Sequence, residues 1–439
     1  MVKEVVIVNY LDHQVGAVSY DPDKQLGAFE YTPAFIKTGI QLSPLKMPLS
    51  KQIYTFPETD FAAFKGLPGL VADSLPDDFG NAVINAWVAS QGKSAKDISP
   101  LQRLKYTGTR GMGALTFAPA TRHKNLNSSQ QLEVENLVEV AQDIVNQRSK
   151  FNVSLNQQGY EDKEAMMALM SVGMSAGGAR PKAVLAFNSD FTQVRSGQTN
   201  APDGFSHYLM KFDGVSEHNK NQETFGDPTG YGAMEYVYYL MATASQIDMM
   251  PCYLLNEGKR RHFITQRFDR IGNDKVHVQT LNGLAHVSFK QVGIYSYAEL
   301  FDVARSLKLS AKEAEQIFRR MVFNVVAKNH DDHAKNISFM FDQQQQWTLA
   351  PAYDLAYSYK PGSRWVNSHW MSINGKRDNF DRKDLYSFAQ LSPIFNKRKI
   401  DRIIDEVVEQ VSQWQKLAKE HHVPKTLIEE VQSNLRLTL

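Results

Sequence analysis

Apolar and polar residues alternate with a period of two in the first part of the chain. Residues 5–10 and 14–20 show this alternation on either side of a polar turn. Successive side chains of a strand point to opposite faces of a sheet, so the pattern predicts strands. Apolar residues at helical spacing follow at 81–88, and a glycine-rich segment at 106–117 is again predicted to be strand-like. The pattern therefore predicts a β-rich subdomain over residues 1–125.

The pattern changes after residues 124–131, a polar stretch rich in Ser, Asn and Gln that predicts a domain boundary. A helix is predicted at 132–145, and strand and helix signals then alternate to about residue 290. The residues after about 290 are predicted to be mostly helical. The helix that starts at Ala311 is predicted to bury one apolar stripe and to end at Asn329. Ser/Thr-x-x-Glu capping boxes predict three helix starts, at Ser296, Ser310 and Thr426.

Bulk composition limits the function only weakly. The 439 residues include 49 Lys and Arg against 47 Asp and Glu, so any basic patch must be local. The single cysteine, Cys252, excludes an intrachain disulfide, fits a reducing compartment and is predicted to be a buried small side chain. There is no signal-peptide pattern and no apolar run of about 18 residues, so we expect a cytoplasmic protein with no membrane partner.

The strongest candidate for chemistry is the stretch 329–336, Asn-His-Asp-Asp-His-Ala-Lys-Asn. Asp331 stands five positions before Asn336, and Asp354 follows in the sequence Ala-Pro-Ala-Tyr-Asp. Phosphoryl transfer to a hydroxyl needs one carboxylate that orients the attacking oxygen. It also needs an amide and a second carboxylate that hold Mg²⁺. These three residue types are present in that order.

The apolar runs 337–341 and 347–349 flank a polar turn and predict a hairpin that returns Asp354 to the side of Asn336. The Asp-x-x-x-x-Asn interval matches the catalytic loop of protein kinases, although the preceding His-Arg is absent. The same residues also fit a polar loop that caps a helix, and His330 before Asp331 fits a metal phosphohydrolase. This segment alone leaves the phosphotransfer, structural and hydrolytic interpretations open.

Two glycine-rich stretches are candidates for phosphate binding. In 173–182, glycines let backbone N–H groups approach phosphate oxygens, and Lys182 can neutralise them, although the spacing is not that of a Walker loop. The Gly-x-Ser-x-Gly sequence around Ser175 also matches the nucleophile elbow of α/β-hydrolases. That elbow needs a strand before the serine and a helix after it, and the predicted order here is the reverse. A structural turn is the third interpretation of 173–182, but it leaves Arg180 and Lys182 unexplained. The second glycine-rich stretch, 108–113, is predicted to be a tight turn.

Lys211 lies within an apolar strand pattern, on the same face as Leu209. A lysine at such a position is usually a surface residue whose stem covers apolar neighbours. In a nucleotide site it would instead contact the ATP phosphates, with Glu235 on the next helix as its ion-pair partner. Both interpretations stay open at this point.

The stretch 263–270 predicts a strand that ends in a charged turn. The backbone of such a strand can pair with an adenine edge while Phe268 packs near the ring. The alternative is an ordinary hairpin end at which Arg267, Asp269 and Arg270 form surface pairs of little energetic value.

Taken together, these segments resemble the HipA family of bacterial toxin serine/threonine kinases. The resemblance covers most of the chain and implies an α+β, two-lobed protein-kinase-like fold. Its implied domains are a β-rich N-terminal subdomain over 1–125, a nucleotide-binding core over 126–270 and an all-α C-terminal lobe over 271–439. The motifs that carry it are 64–70, 73–80, 111–115, the Ser175 loop, 267–270, 331–336 and 351–354.

The resemblance implies a role for each matching residue. Asp331 is implied to be the catalytic base, Asn336 and Asp354 the Mg²⁺ ligands, and Ser175 an autophosphorylated serine whose modification expels the phosphate loop. Gln266 stands where some members have Glu, which changes the adenine contact but not the backbone pairing. The implied ATP-binding residues are Gly177, Gly178, Ala179, Arg180, Pro181, Lys182, Lys211, Gln266, Arg267, Phe268, His333, Lys335 and Tyr353.

The resemblance also implies partners. These are a small HipB-like helix-turn-helix antitoxin, operator DNA reached through that antitoxin, and an aminoacyl-tRNA synthetase as substrate, glutamyl-tRNA synthetase in particular. The competing hypotheses are a pseudokinase that acts mainly as a repressor subunit and a hydrolase with Ser175 as nucleophile.

Overall fold

The computed structural model describes residues 4–121, 131–147, 169–170, 180–216 and 228–439. The chain divides into two compact units, one formed by residues 1–232 and 253–279 and the other by 233–252 and 280–439. Both contain helices and strands, as expected for an α+β protein. Among these described residues, no helix is long and apolar enough to cross a membrane.

Two antiparallel sheets organise the first unit. One has the strand order β3-β2-β1-β4 and the other β6-β5-β7-β9-β8. The strands of these two sheets are β1 Val5–Tyr10, β2 His13–Asp21, β3 Leu26–Tyr31, β4 Leu115–Ala118, β5 Lys182–Asn188, β6 Val194–Ser196, β7 Phe205–Lys211, β8 Cys252–Glu257 and β9 Arg260–Gln266. They are followed by β10 Arg270–Ile271 and β11 Asp274–Lys275, which pair with each other, and by β12 His277–Thr280. The strands predicted at 5–10 and 14–20 are confirmed.

The helices of the first unit are α1 Pro33–Thr38, α2 Phe61–Phe64, α3 Gly69–Ala72, α4 Asp78–Ser90, α5 Pro100–Thr107 and α6 Val134–Gln147. Of these, α4 and α6 pack against the five-stranded sheet. Phe79 and Trp87 of α4 and Leu137 of α6 share a fully apolar core with Leu185 and Met210 of the sheet. This burial is what makes the five-stranded sheet a rigid support, since close-packed apolar contacts oppose any shift of the strands.

The second unit is mainly helical. Its helices are α7 Tyr231–Ala244, which begins in the first unit, α8 Leu281–Ala285, α9 Tyr297–Ser306, α10 Ala311–Val326, α11 Arg382–Tyr386, α12 Phe388–Leu391, α13 Lys397–Val411, α14 Trp414–Glu420 and α15 Lys425–Asn434. The strands are β13 Tyr295–Ser296, β14 Ser338–Phe341, β15 Trp347–Leu349 and β16 Met371–Ser372. The predicted hairpin is therefore confirmed as β14 and β15, which pair in antiparallel register.

Capping explains most of the helix starts. The capping boxes predicted at Ser296 and Ser310 are both present. The one at Thr426 is wrong, because α15 begins at Lys425 behind Pro424 and Thr426 already lies inside the helix. The apolar stripe of α10 is buried as predicted, but the helix ends at Val326 rather than Asn329.

Candidate active site

The loop after α10 leaves the helix at a defined point. Lys328 adopts a left-handed backbone conformation, φ 54°, and the N–H of Asn329 returns to the carbonyl of Asn324 at 2.9 Å. This turn ends the helix three residues before the predicted end at Asn329. The N–H of His330 then donates to the carbonyl of Ser358 at 3.0 Å, and the N–H of Ser358 donates to Lys328 at 3.1 Å. The loop thus starts from a packed helix and is clamped at its base.

Asp331 and Asn336 are linked within this loop. The side-chain amide of Asn336 donates from Nδ2 to the carbonyl oxygen of Asp331 at 2.8 Å. Because the NH₂ end is held in this way, Oδ1 is the end of the amide that can coordinate a cation. The Asp331 carboxylate is 36 % exposed, and its Oδ1 lies 3.7 Å from Nε2 of His333. Solvent and substrate can therefore reach the Asp331 carboxylate, the candidate base, while the side-chain amide of Asn336 is fixed.

Asp332, the next residue, is fully buried, and its carboxylate holds the loop in place through hydrogen bonds. Its carboxylate accepts hydrogen bonds from the Tyr297 hydroxyl at 2.8 Å, from Nδ1 of His369 at 2.9 Å and from the backbone N–H of Trp370 at 2.7 Å. Burial, together with this carboxylate, raises the pKa of Tyr297 well above its ordinary value. Asp332 was not among the site residues predicted from the sequence; the Asp-Asp doublet is the only signal that could have indicated it.

The buried network continues beneath Asp332. Nδ2 of Asn324 donates to the Tyr297 hydroxyl at 3.1 Å, and Nδ2 of Asn329 donates to Asn324 at 2.9 Å. The ring of His330 packs against that of His369, with centroids 4.2 Å apart. Burial and the neighbouring imidazole lower the pKa of His330 to about 3, so this ring is neutral near pH 7. The residues flanking Asp331 are therefore structural.

Tyr353 holds the second carboxylate near the loop. Its hydroxyl donates to the carbonyl of Lys335 at 2.6 Å and lies 2.5 Å from the hydroxyl of Ser338. Asp354 follows directly and adopts a left-handed backbone conformation, φ 56°, which Asp tolerates better than most residues. The Tyr353 hydroxyl thus joins the chain just before Asp354 to the loop next to Asn336.

Asp331, Asn336 and Asp354 line one small cavity of about 30 Å³ within the second unit. A carboxylate and an amide oxygen are hard oxygen ligands of the type that Mg²⁺ prefers, and Mg²⁺ keeps waters and phosphate oxygens for its other positions. No group of three or more His, Cys, Asp or Glu side chains is arranged to hold a metal in the part of the chain that the structure describes. The donor set therefore fits a magnesium ion shared with phosphate rather than an all-protein metal cage.

Two buried lysines stand opposite each other in the first unit. Lys182 begins β5 and pairs in antiparallel register with Lys211 at the end of β7. Both are at least 95 % buried. Nζ of Lys182 lies 3.6 Å from the Asp77 carboxylate, and Nζ of Lys211 lies 5.8 Å from the centroid of the Phe263 ring. Lys182 therefore has a carboxylate counter-charge within the unit, and Lys211 lies on the neighbouring strand opposite it.

The interpretation of Lys211 as a snorkelling surface lysine is therefore wrong, because its ammonium group is buried with its stem. Glu235 on α7 is also buried rather than solvated. Arg180 lies over the ring of Tyr231 at 6.0 Å, and the carbonyl of Pro181 accepts the N–H of Phe212 at 3.1 Å. The predicted site residues Ser175, Gly177, Gly178 and Ala179 lie outside the described residues.

Arg267, Asp269 and Arg270 form a buried cluster, so the alternative of weak surface pairs is wrong. Arg267 donates from Nε and Nη2 to both carboxylate oxygens of Asp269, at 2.8 and 2.6 Å. Arg270 adds a bond at 2.8 Å, and the backbone N–H of Gly113 adds another at 2.7 Å. Burial alone would raise the pKa of Asp269, but the two guanidinium groups hold it well below its usual range. The glycine stretch 108–113 therefore binds a carboxylate of its own chain.

This cluster fixes the end of β9. Gln266 pairs with Tyr208 of β7, and the N–H of Arg267 donates to the carbonyl of His207 at 2.9 Å. The Arg267 guanidinium also donates to Gly197 at 3.0 Å. The side chain of Arg267 thus makes its hydrogen bonds within the first unit, whereas the side chain of Phe268 is half-buried. The structure gives the strand a rigid end at the position where we predicted adenine pairing.

We expect Asp269→Asn to lower the free energy of unfolding by about 3–5 kcal/mol, because two buried guanidinium groups lose their counter-charge. The folded-state pKa of Asp269 is depressed, so its stabilisation is present above the unfolded pKa of about 4 and is lost as the pH falls below it. Urea titrations of the wild type and the variant at several pH values measure both effects. Asp203→Asn, at an exposed position, is the control, and an equal loss in both variants would contradict this role.

Comparisons with known proteins agree with this fold. A model of the HipA N-terminal domain matches residues 6–118, and a model of the HipA-like C-terminal domain matches residues 174–415. HipA of Shewanella oneidensis MR-1, solved as a complex with HipB and its operator DNA, superposes with a TM-score of 0.65 at 15 % identity. That match covers 98 % of this chain and 95 % of that one.

Two curated relatives match over shorter stretches. A putative kinase of Haemophilus influenzae is 21 % identical over 211 residues, which are 42 % of this chain and 61 % of that protein. The putative kinase Y4mE of Sinorhizobium fredii is 26 % identical over 127 residues, 26 % of this chain and 30 % of that protein. The matched region thus spans less than two thirds of either relative.

The fold and the family models together define the class. The chain has the α+β fold of a HipA protein, with two compact units. Because the C-terminal model alone covers more than half of its residues, the chain belongs to the HipA family.

Proposed function

We propose that this chain is an ATP- and Mg²⁺-dependent protein serine/threonine kinase of the HipA type. The observation that carries the proposal is the cavity shared by Asp331, Asn336 and Asp354, with the Asn336 amide held by the Asp331 carbonyl. These are the three groups that phosphoryl transfer to a hydroxyl requires. The kinase-named relatives support the same class of activity.

In the proposed reaction, Asp331 orients the acceptor hydroxyl and takes its proton. The bond between the γ-phosphorus and the bridging oxygen of ADP breaks, and a new bond forms between that phosphorus and the acceptor oxygen. Asn336 and Asp354 hold Mg²⁺, which when bound neutralises charge on the phosphate oxygens. His333 and Lys335, on the same loop, contact the phosphates, and Tyr353 keeps the loop in place through its hydroxyl.

The first unit is proposed to bind the nucleotide. Lys182 and Lys211, which lie opposite each other on neighbouring strands, are proposed to neutralise the phosphates. The loop that contains Gly177, Gly178, Ala179, Arg180 and Pro181 covers the phosphates with its N–H groups. Gln266, Arg267 and Phe268 receive the adenine. The order of elements on either side of the Ser175 loop argues against a hydrolase. Residues 169–170 are helical and β5 follows the loop, whereas a nucleophile elbow has a strand before the serine and a helix after it.

The partners belong to the same proposal. The solved HipA of S. oneidensis is bound to HipB and operator DNA. By analogy we propose a HipB-like helix-turn-helix antitoxin for this chain and operator binding through it. The proposed protein substrate is an aminoacyl-tRNA synthetase such as glutamyl-tRNA synthetase, whose phosphorylation would arrest translation and growth. Ser175 is the proposed site of autophosphorylation.

The proposal is tested by incubating the purified chain with γ-labelled ATP and Mg²⁺, alone and with glutamyl-tRNA synthetase, followed by mass spectrometry of both proteins. We expect phosphate on Ser175 and on a serine or threonine of the substrate, and neither when EDTA removes the metal. A chain that binds ATP and represses an operator with its antitoxin, yet transfers no phosphate to either protein, would be a pseudokinase instead.

A further inference from the structure

Helix α10 carries a line of three polar side chains within its buried surface. Gln316, Arg320 and Asn324 are spaced four residues apart, so they lie on the same side of the helix. Each of them is at most 9 % exposed. Burying a polar group costs free energy unless it has a partner, so the partners of this line indicate what this side of the helix does.

Two members of the line hold the chain just before the candidate metal ligand. Gln316 accepts the N–H of Asp248 at 2.8 Å, and the carbonyl of Asp248 accepts the N–H of Ala352 at 2.8 Å. Arg320 donates from Nη2 to the carbonyl of Ala350 at 2.7 Å. The helix is therefore tied to the segment that leads to the metal ligand through an amide and a guanidinium group.

Arg320 is the charged member of the line. Its Nε makes no hydrogen bond with any described residue, and the group forms no ion pair among them. The preceding Arg319, by contrast, pairs with Glu315 at 2.9 Å and with Glu406 at 2.7 Å. Burial lowers the pKa of Arg320 to about 10, so the guanidinium is still protonated near pH 7. Arg320 is thus a buried cation that a backbone carbonyl holds in place.

Arg320 lines the same cavity of about 30 Å³ as the candidate base and the metal ligands. The charged side chains of that cavity are Arg320, Asp331, Asp332 and Asp354. Charges that share so small a space interact strongly, because little water screens them. The guanidinium therefore offsets part of the negative charge of the three carboxylates and repels a divalent cation.

Other charged groups lie on the elements packed around the cavity. Asp248 and Lys312 form an exposed pair, with 3.8 Å between the carboxylate and the ammonium group. Glu313 accepts the N–H of Ser310 at the start of α10 at 2.7 Å. Nζ of Lys335 lies 5.0 Å from the centroid of a phenylalanine ring. None of these side chains lines the cavity, so among the described residues the guanidinium on α10 is its one cation.

We propose that Arg320 is a positioning residue that makes the metal site depend on the nucleotide. Its charge disfavours Mg²⁺ alone, and the ion binds at Asn336 and Asp354 only when the phosphates of ATP add their negative charge. The inference rests on the proposed kinase function and adds a form of regulation to its metal site. The bond to the Ala350 carbonyl keeps the guanidinium at a fixed place relative to the segment that carries Asp354.

The test measures metal binding by the full-length chain without nucleotide. The probe is Mn²⁺, which suits the same oxygen ligands as Mg²⁺ and whose free ion is counted by electron paramagnetic resonance. Arg320→Met removes the charge and keeps an unbranched side chain, so it should bind Mn²⁺ about tenfold more tightly than the wild type, or better. Arg320→Lys keeps the charge and should stay close to the wild type. With ATP present, the gain in Arg320→Met should shrink to about threefold or less, because the phosphates then supply most of the attraction.

Neighbouring arginines provide the controls. Arg319→Met removes a buried arginine one position away, and Arg402→Met removes one that is 59 % exposed. Both should leave the Mn²⁺ affinity unchanged. Combining Arg320→Met with Asp354→Asn should abolish the gain, which locates the added binding at the candidate metal site. Should Arg320→Met not fold, Arg320→Gln carries the same expectation, because its amide can still donate to a backbone carbonyl.

The outcomes separate the inference from the proposed function. A folded Arg320→Met that binds Mn²⁺ no more tightly than a wild type that transfers phosphate overturns the inference and leaves the kinase standing. A gain that persists in the double variant with Asp354→Asn places the ion elsewhere and overturns the inference as well. A wild-type chain that neither binds Mn²⁺ with ATP nor transfers phosphate overturns both.

Discussion

Asp331→Asn is expected to reduce phosphate transfer by about 10³-fold or more, because the amide cannot take the proton of the acceptor hydroxyl. The thermal stability should stay close to that of the wild type. The carboxylate is 36 % exposed, and the structural bond from Asn336 goes to the backbone carbonyl of residue 331, which the substitution keeps. The measurement is the initial rate of transfer from labelled ATP, with differential scanning calorimetry of the same preparation.

The adjacent residue supplies the matched comparison. Asp332→Asn removes the same charge one position away but leaves three buried donors with a weaker acceptor, so it should lower stability by about 1–3 kcal/mol. Asp302→Asn, 63 % exposed on α9, should change neither quantity. In cells, toxicity of the wild type that Asp331→Asn relieves agrees with catalysis. Undiminished transfer by purified Asp331→Asn would remove the residue from the mechanism.

Lys211→Met is expected to weaken ATP binding about 10- to 100-fold. The substitution removes a buried ammonium group but keeps an unbranched chain of similar length, and a hydrogen bond to a charged group contributes about 1.5–3 kcal/mol. Isothermal titration calorimetry with ATP and Mg²⁺ measures the change.

Lys259→Met, at an exposed position of the same unit, is the control for loss of one positive charge. Since Lys182 stands opposite Lys211, the double variant should lose more affinity than either single variant. An affinity for ATP that is unchanged in Lys211→Met would mean that the buried lysine pair serves the fold and not the nucleotide.

Much of the fold was predictable because its patterns are local. Strand alternation at 5–10, helix capping at Ser296 and Ser310, and the hairpin at 338–349 all depend on neighbours in sequence. The end of α10 was predicted three residues too late, because no Gly or Pro marks the stop and the turn is made by Lys328, which adopts a left-handed backbone conformation.

The candidate site was predictable only in part. Asp331, Asn336 and Asp354 follow a spacing that chemistry demands, and the structure brings them to one cavity. The sequence does not distinguish Asp332 from Asp331. Asp332 differs because it is buried against Tyr297 and His369, which lie more than 30 residues away in the sequence. Burial of the Arg267–Asp269–Arg270 cluster is equally nonlocal, since Gly113 joins it across 156 positions.

The backbone clamp at the start of the candidate catalytic loop has a consequence for dynamics. The reciprocal hydrogen bonds between Ser358 and residues 328 and 330 close a ring of chain that contains Asp331, Asn336 and Asp354. Segments closed in this way tend to open as one cooperative unit. Hydrogen exchange of the amides in this ring should therefore share one opening free energy. A mutation that opens the clamp would remove the base and both metal ligands in a single step, so the site would be lost as a whole rather than group by group.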